Sequence, residues 1–186
     1  MGRGISEILN SMDNQTQIEE NRVEGTAAEP VPATEQAIPT SVAPEPPPIV
    51  LEFIRPVEGE VMRHFAMDHL VFSQTLQEWI THPGVDIRAP RATVVVAAEA
   101  GTVLAIKNDP RYGLTVIIEH ANGYRTVYSN LLTTEFVSEG DLVTKGQSLG
   151  TVGNSAPFEI LDEPHLHFEM IRDGVHIDPQ LYISFN

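Results

Sequence analysis

The chain of 186 residues contains no cysteine. That absence excludes a disulfide framework, an iron–sulfur cluster, a thiolate zinc site and a cysteine nucleophile, so any metal must be held by histidine and carboxylate. Basic residues are scarce: 11 Lys and Arg stand against 26 Asp and Glu, a formal net charge of −15. Phosphate backbones are bound by clustered Lys and Arg, so nucleic acid is excluded as a partner. No apolar run approaches the roughly 18 residues of a membrane span. The N-terminus shows neither an apolar h-region nor a cleavage site, and Met1-Gly2 with Ser6 matches only a short acylation pattern.

What is present divides in two. Residues 13–48 are polar and acidic, have no sustained apolar period and end in Pro44-Glu45-Pro46-Pro47-Pro48. Such a stretch buries too little apolar surface to offset its ordering entropy, so residues 1–48 are expected to form a disordered tether. At Ile49 the composition changes, and residues 49–186 show short β-rich runs between turn signals, the pattern of one mainly β domain. Residues 93–98 and 102–106 are expected to pair as a hairpin across Glu99-Ala100-Gly101. A second hairpin is expected at Asn122-Gly123, between residues 114–119 and 124–128. Glycines spaced through residues 137–153 suit tight β-turns. Only residues 72–80 carry a helical period.

Two motifs carry chemistry. His82-Pro83-Gly84-Val85-Asp86 sets an imidazole and a carboxylate four residues apart around a pair that disfavours helix, so the two must converge across a turn or along an extended segment. Alone, this also fits an exposed turn. In His165-Leu166-His167-Phe168-Glu169-Met170, strand alternation sends His165, His167 and Glu169 to one face and Leu166, Phe168 and Met170 to the other. Alone, His-x-His fits a metal site or a half-exposed strand. Taken together, the two motifs point to metal, because clustered imidazoles beside a packed face need a metal or an acid to hold them.

The sequence here resembles the lysostaphin- or LytM-type zinc endopeptidases, which cleave peptide cross-bridges in bacterial peptidoglycan. The matching blocks are His82 to Pro90, Val96-Ala97-Ala98 with Gly101-Thr102-Val103, Tyr112 to Val116, Gly140 to Gln147, His165 to Glu169, and Asp178-Pro179. The resemblance implies a compact antiparallel β domain with Zn2+ held by His82, Asp86 and His167, and with His165 as a catalytic imidazole beside it. Two neutral imidazoles, one carboxylate and a water form the open tetrahedral site of catalytic zinc.

Where the family carries a second catalytic histidine in Tyr-x-His-Leu, this chain reads Tyr128-Ser129-Asn130-Leu131, and Ala92 replaces a common glycine. An asparagine can donate a hydrogen bond but cannot shuttle a proton. Asn130, the stretch around Phe72 to Trp79, and Phe158 to His165 resemble the clostridial stage II sporulation protein Q type, a membrane-anchored form that builds a channel with a mother-cell partner. The resemblance therefore implies a cell-wall-facing, zinc-binding domain that acts in sporulation, associates with peptidoglycan and a partner protein, and hydrolyses weakly or not at all. The alternatives are a working endopeptidase and an activator of other wall hydrolases.

The remaining candidates receive plainer expectations. His120 reads as a hairpin histidine, His64, Asp68 and His69 as surface groups, His176 as a solvated turn residue, and Trp79 as a cleft or core residue.

Overall fold

Alternating β-branched and apolar residues favour strands that bury one face, and strands are the main regular element of the computed structural model, which describes residues 50–185. The expected tether lies outside the described residues. The strands are β1 (Val61–Arg63), β2 (Ala66–Ser73), β3 (Glu78–His82), β4 (Val85–Arg88), β5 (Val94–Val96), β6 (Gly101–Asp109), β7 (Gly113–Glu119), β8 (Tyr124–Thr133), β9 (Leu142–Val143), β10 (Ser148–Val152), β11 (His165–Arg172) and β12 (Val175–Ile177). The main sheet runs β1-β4-β11-β8-β7-β6-β9, β12 adds to β11, and β10 pairs with both β5 and β8. Strands β2 and β3 form a separate two-stranded sheet. Every pairing is antiparallel, as expected.

Strand β11 lies between β4 and β8. Its Leu166, Phe168 and Met170 are fully buried and join Val85 and Ile87 of β4, Val116 and Ile118 of β7, and Tyr128 of β8 in one apolar core. Burying a side chain of this size contributes about 1.5–3 kcal/mol. The buried Tyr128 hydroxyl accepts from the Ala98 amide at 2.8 Å and from the Thr126 hydroxyl at 2.9 Å, so it leaves no unsatisfied polar group in the core.

The Asn122-Gly123 hairpin forms between β7 and β8, with Asn122 at φ 57°. The other expected hairpin does not. Strand β5 pairs with β10, and β6 pairs with β7 and β9. The chain after β5 is held elsewhere: the Ala97 amide donates to the Gln147 carbonyl, and the Glu99 carboxylate accepts from the Ala100 and Glu52 amides. The Glu99 turn therefore redirects the chain without folding it back on itself.

Residues 72–80 are not helical. Ser73 ends β2, its hydroxyl accepts from the Leu76 amide at 3.2 Å, and Gln77 at φ 56° closes a turn into β3. Phe72 and Trp79 then stand opposite each other, ring centroids 5.6 Å apart. The 3.6-residue period of the apolar side chains is thus matched by a cross-strand pair, a stronger local interaction than a short isolated helix provides. Trp79 is 65% exposed, in neither core nor cleft.

Candidate metal centre

The junction of β3 and β4 and the register of β11 assemble the site. His82 ends β3, Asp86 lies in β4, and Pro83-Gly84 turns the chain between them. Gly84 packs so tightly on β11 that a Cβ would sit 2.3 Å from the Phe168 carbonyl oxygen, so only glycine lets β4 close there. In the β4–β11 ladder Asp86 is directly opposite His167. Alternation holds in both strands: the apolar neighbours of these residues enter the core, and the polar side chains meet on the other face.

Three donor atoms crowd together there. His82 Nε2 lies 3.1 Å from Asp86 Oδ1 and 3.2 Å from His167 Nδ1, and His167 Nδ1 lies 2.8 Å from Asp86 Oδ1. Each imidazole is oriented through its other nitrogen. His82 Nδ1–H donates to the His64 carbonyl at 2.9 Å, and His167 Nε2–H donates to Glu169 Oε1 at 3.0 Å. With both rings neutral, those bonds leave His82 Nε2 and His167 Nδ1 as the lone-pair atoms, the usual orienting arrangement around metal-binding histidines. The Tyr112 ring stacks on His167 at 3.9 Å and 8°. Burial pushes the Tyr112 hydroxyl up to about 12, so it stays protonated.

His165 lies beside this group. Its Nδ1–H donates to the Glu163 carbonyl at 2.7 Å, and its Nε2 is 3.1 Å from Glu159 Oε2 and 4.0 Å from Asp86 Oδ1. Asn130 packs against it at φ 63°, fully buried. Its Oδ1 accepts from the Ser155 amide at 2.7 Å and the Ala156 amide at 3.0 Å, while its Nδ2 donates to the His165 carbonyl at 3.1 Å. The amide of Asn130 is thus committed at both ends. Ala92, the other departure, adopts φ 67°, so the turn keeps its left-handed conformation without glycine.

Sequence reasoning missed two members of the cluster. Glu159, on the 3-10 turn Pro157–Glu159, places Oε1 3.8 Å from His82 Nε2 and 3.6 Å from His167 Nδ1. Arg63 on β1 sends Nη1 to Asp86 at 2.9 Å and to Glu159 at 3.2 Å, and Nη2 to Asp162 at 2.7 Å. Glu159 falls within the Phe158 to His165 block, but nothing in that block distinguishes it from Asp162 or Glu163 as the carboxylate that turns inward, and no local pattern marks Arg63. His176, expected to be solvated, instead reaches Glu169 Oε2 at 2.8 Å from strand β12, which antiparallel pairing lays beside β11. His120 is no part of the cluster: Nδ1–H donates to the Ala100 carbonyl, and Nε2 meets the Thr126 hydroxyl. His64, Asp68 and His69 are exposed as expected, although the backbone of His64 serves His82.

The electrostatics favour added positive charge. Burial works against ionising Asp86, but His82 and the bonds from both histidines hold its carboxyl well below the usual range. Glu159 is brought down to about 2: burial and Asp86 oppose its ionisation, and His167 and the bond from His165 outweigh them. Glu169 also falls to about 2 despite burial, held by His167 and His176. The same carboxylates raise His165, and raise His167 well above the ordinary imidazole value, against the opposing effect of burial. His82, Asp86, Glu159 and His167 offer donor atoms within 4.8 Å of one another, all buried, in a set of two nitrogens and two oxygens that suits zinc.

Residues 80–179 match Peptidase family M23, and the chain belongs to that family. It is 39% identical over 85 residues to stage II sporulation protein Q of Bacillus subtilis, covering 46% of this chain and 29% of that protein. It is 37% identical over 93 residues to peptidoglycan DD-endopeptidase ShyA of Vibrio cholerae, covering 50% of this chain and 21% of that one. The chain therefore spans well under half the length of these relatives. Among solved structures, the SpoIIQ-SpoIIIAH pore-forming complex contains a chain with a TM-score of 0.61 and 26% identity, covering 73% of this chain and 92% of that one.

Proposed function

We propose that residues 49–186 form a zinc-binding M23-type domain that faces peptidoglycan during sporulation, engages a protein partner there, and hydrolyses the wall weakly or not at all. His82, Asp86 and His167 would hold the zinc, with His165 beside it. The bound metal supplies Lewis acidity that polarises a carbonyl and acidifies water. His165 would accept a proton at Nε2 while its Nδ1–H stays on the Glu163 carbonyl.

One observation carries the expectation of low activity. Asn130 stands where peptidases of the family have a second histidine, and its amide is fully used by Ser155, Ala156 and His165. It can neither protonate a leaving amine nor turn freely toward a developing negative charge. Losing one such donor costs on the order of a hundred- to a thousandfold in rate. The kinship with stage II sporulation protein Q and with a chain of a SpoIIQ–SpoIIIAH complex supports the sporulation role and the partner. The opposite reading, a working endopeptidase, is favoured by the likeness to a DD-endopeptidase together with the complete donor set.

Zinc content and loss of turbidity of purified peptidoglycan, measured on one preparation of the full chain with His165→Ala as the blank, separate the two. We expect bound zinc with hydrolysis at or near the blank, and a faster rate for Asn130→His at equal zinc occupancy. Vigorous wild-type hydrolysis that Asn130→His leaves unchanged would replace this reading with the working endopeptidase.

A further inference from the structure

We propose that Glu159 is a fourth donor that closes the metal centre, held in place by Arg63, so that the domain carries its metal in a sealed site. The inference rests on the reading of His82, Asp86 and His167 as ligands. Its first support is distance. A tetrahedral zinc with bonds of about 2.0–2.1 Å has ligand atoms about 3.3 Å apart. The separations among His82 Nε2, Asp86 Oδ1 and His167 Nδ1 are 3.1, 3.2 and 2.8 Å, and Glu159 Oε1 stands 3.8 and 3.6 Å from the two nitrogens. Glu159, within 4.8 Å of the Asp86 donor as well, therefore stands at the side of the three-residue set that a catalytic site leaves for water or substrate.

A second support is access. His82, Asp86, Glu159 and His167 are between 0% and 3% exposed, and so is His165. The neighbouring cleft, of about 340 Å³, is lined by Tyr112, Ser129, Glu169 and His176 among others, and by none of the four donors. Tyr112 and Glu169 form a wall between that cleft and His167, by stacking and by hydrogen bonding respectively.

The third support is that Glu159 is fixed in its position. It lies on the turn Pro157–Glu159, its amide donates to the Ala156 carbonyl, and its carbonyl accepts from the Asp162 amide. Arg63 ties the carboxylates of Asp86, Glu159 and Asp162 together. Two carboxylate donors balance a divalent ion, the guanidinium of Arg63 balances Asp162, and Glu169 is shared between His167 and His176. Oε2 of Glu159 also faces His165 Nε2, the atom that would have to accept a proton. Structural zinc sites have four protein ligands, whereas catalytic ones keep an open position. Glu159 thus limits access to the metal separately from Asn130, and the hydrolysis that Asn130→His restores should stay below that of Asn130→His combined with Glu159→Gln.

The test loads the metal-free full chain with Co2+ and follows its visible absorption while acetohydroxamate, a small bidentate metal ligand, is added. The wild-type spectrum should stay unchanged. Glu159→Ala and the isosteric Glu159→Gln should each show a saturable change and bind Co2+ at least about tenfold more weakly. Circular dichroism of each metal-free variant verifies that it is folded, and Glu159→Gln carries the test if the alanine variant is not. A wild-type spectrum that responds to acetohydroxamate as the variants do overturns the role of Glu159 and leaves the three-residue site standing. Failure of the wild type to bind Co2+ at all overturns that underlying reading.

Discussion

Asp86 and His167 face each other across the β4–β11 ladder, with His167 Nδ1 2.8 Å from Asp86 Oδ1. Residues 81 positions apart in sequence are thus brought together by strand register, and a slip of β11 by one residue would turn His167 into the core and away from Asp86. The candidate metal centre and the sheet are therefore coupled.

Zinc should raise the unfolding temperature. A ligand that binds only the folded state at a thousand times its dissociation constant adds about 4 kcal/mol. Scanning calorimetry with and without EDTA should show a clear fall on chelation, and His82→Ala or His167→Ala should abolish the difference. An unchanged melting temperature in excess EDTA would argue against zinc binding.

Asn130→Ala should destabilise the domain by roughly 2–4 kcal/mol, since it strands one buried and one part-buried amide donor and places alanine at a left-handed backbone position. The donors are those of Ser155 and Ala156, and φ at Asn130 is 63°. Asn130→Asp keeps the acceptor and should lose less. Urea unfolding of both variants reads the difference; equal losses would mean that the two amide bonds contribute nothing special.

Gly84→Ala should be among the most damaging single substitutions, at a cost of several kcal/mol, because the new methyl group meets backbone and not a movable side chain. The clash is with the Phe168 carbonyl, next to His167. Relief requires β4 to move from β11, so metal affinity should fall along with stability. Calorimetry and a Co2+ titration of the same preparation measure both, and a variant with wild-type affinity would contradict the coupling.

His120 should give the domain a pH-dependent stability of its own. Burial lowers its pKa below the ordinary 6.5, against the opposing bond to the Ala100 carbonyl. As pH falls below that value, the unfolded chain takes up a proton before the folded one does. The contribution is therefore complete above the unfolded pKa and is lost as pH drops through the lower folded value. Relative to His120→Gln, wild-type stability should rise with pH across this window and level off near neutrality. A flat difference between the two chains from pH 5 to 7 would refute the assignment.

The sequence by itself determined what depends on neighbours along the chain. Alternation in His165 to Met170 separates the core face from the polar face, because strand geometry has a period of two. Asn122-Gly123 specifies its own turn, since those residues tolerate positive φ. The ordered blocks from His82 to Asp178-Pro179 carry the family resemblance, and those around His82 and His167 nominate three metal ligands. Local pattern misled where two conformations shared it. Residues 72–80 carry a helical period yet pair as β2 and β3, and β5 finds β10 instead of β6.

Only the tertiary structure decided the surroundings of the candidate metal centre. Arg63, Glu159 and Asp162 come from β1 and from the segment before β11, and His176 from β12. Their roles depend on distance and burial, which spacing in a chain does not encode. A carboxylate reads the same in sequence whether it is solvated or held at the fourth corner of a buried donor set. The low dielectric and the close packing that separate the two cases exist only once the sheet has closed.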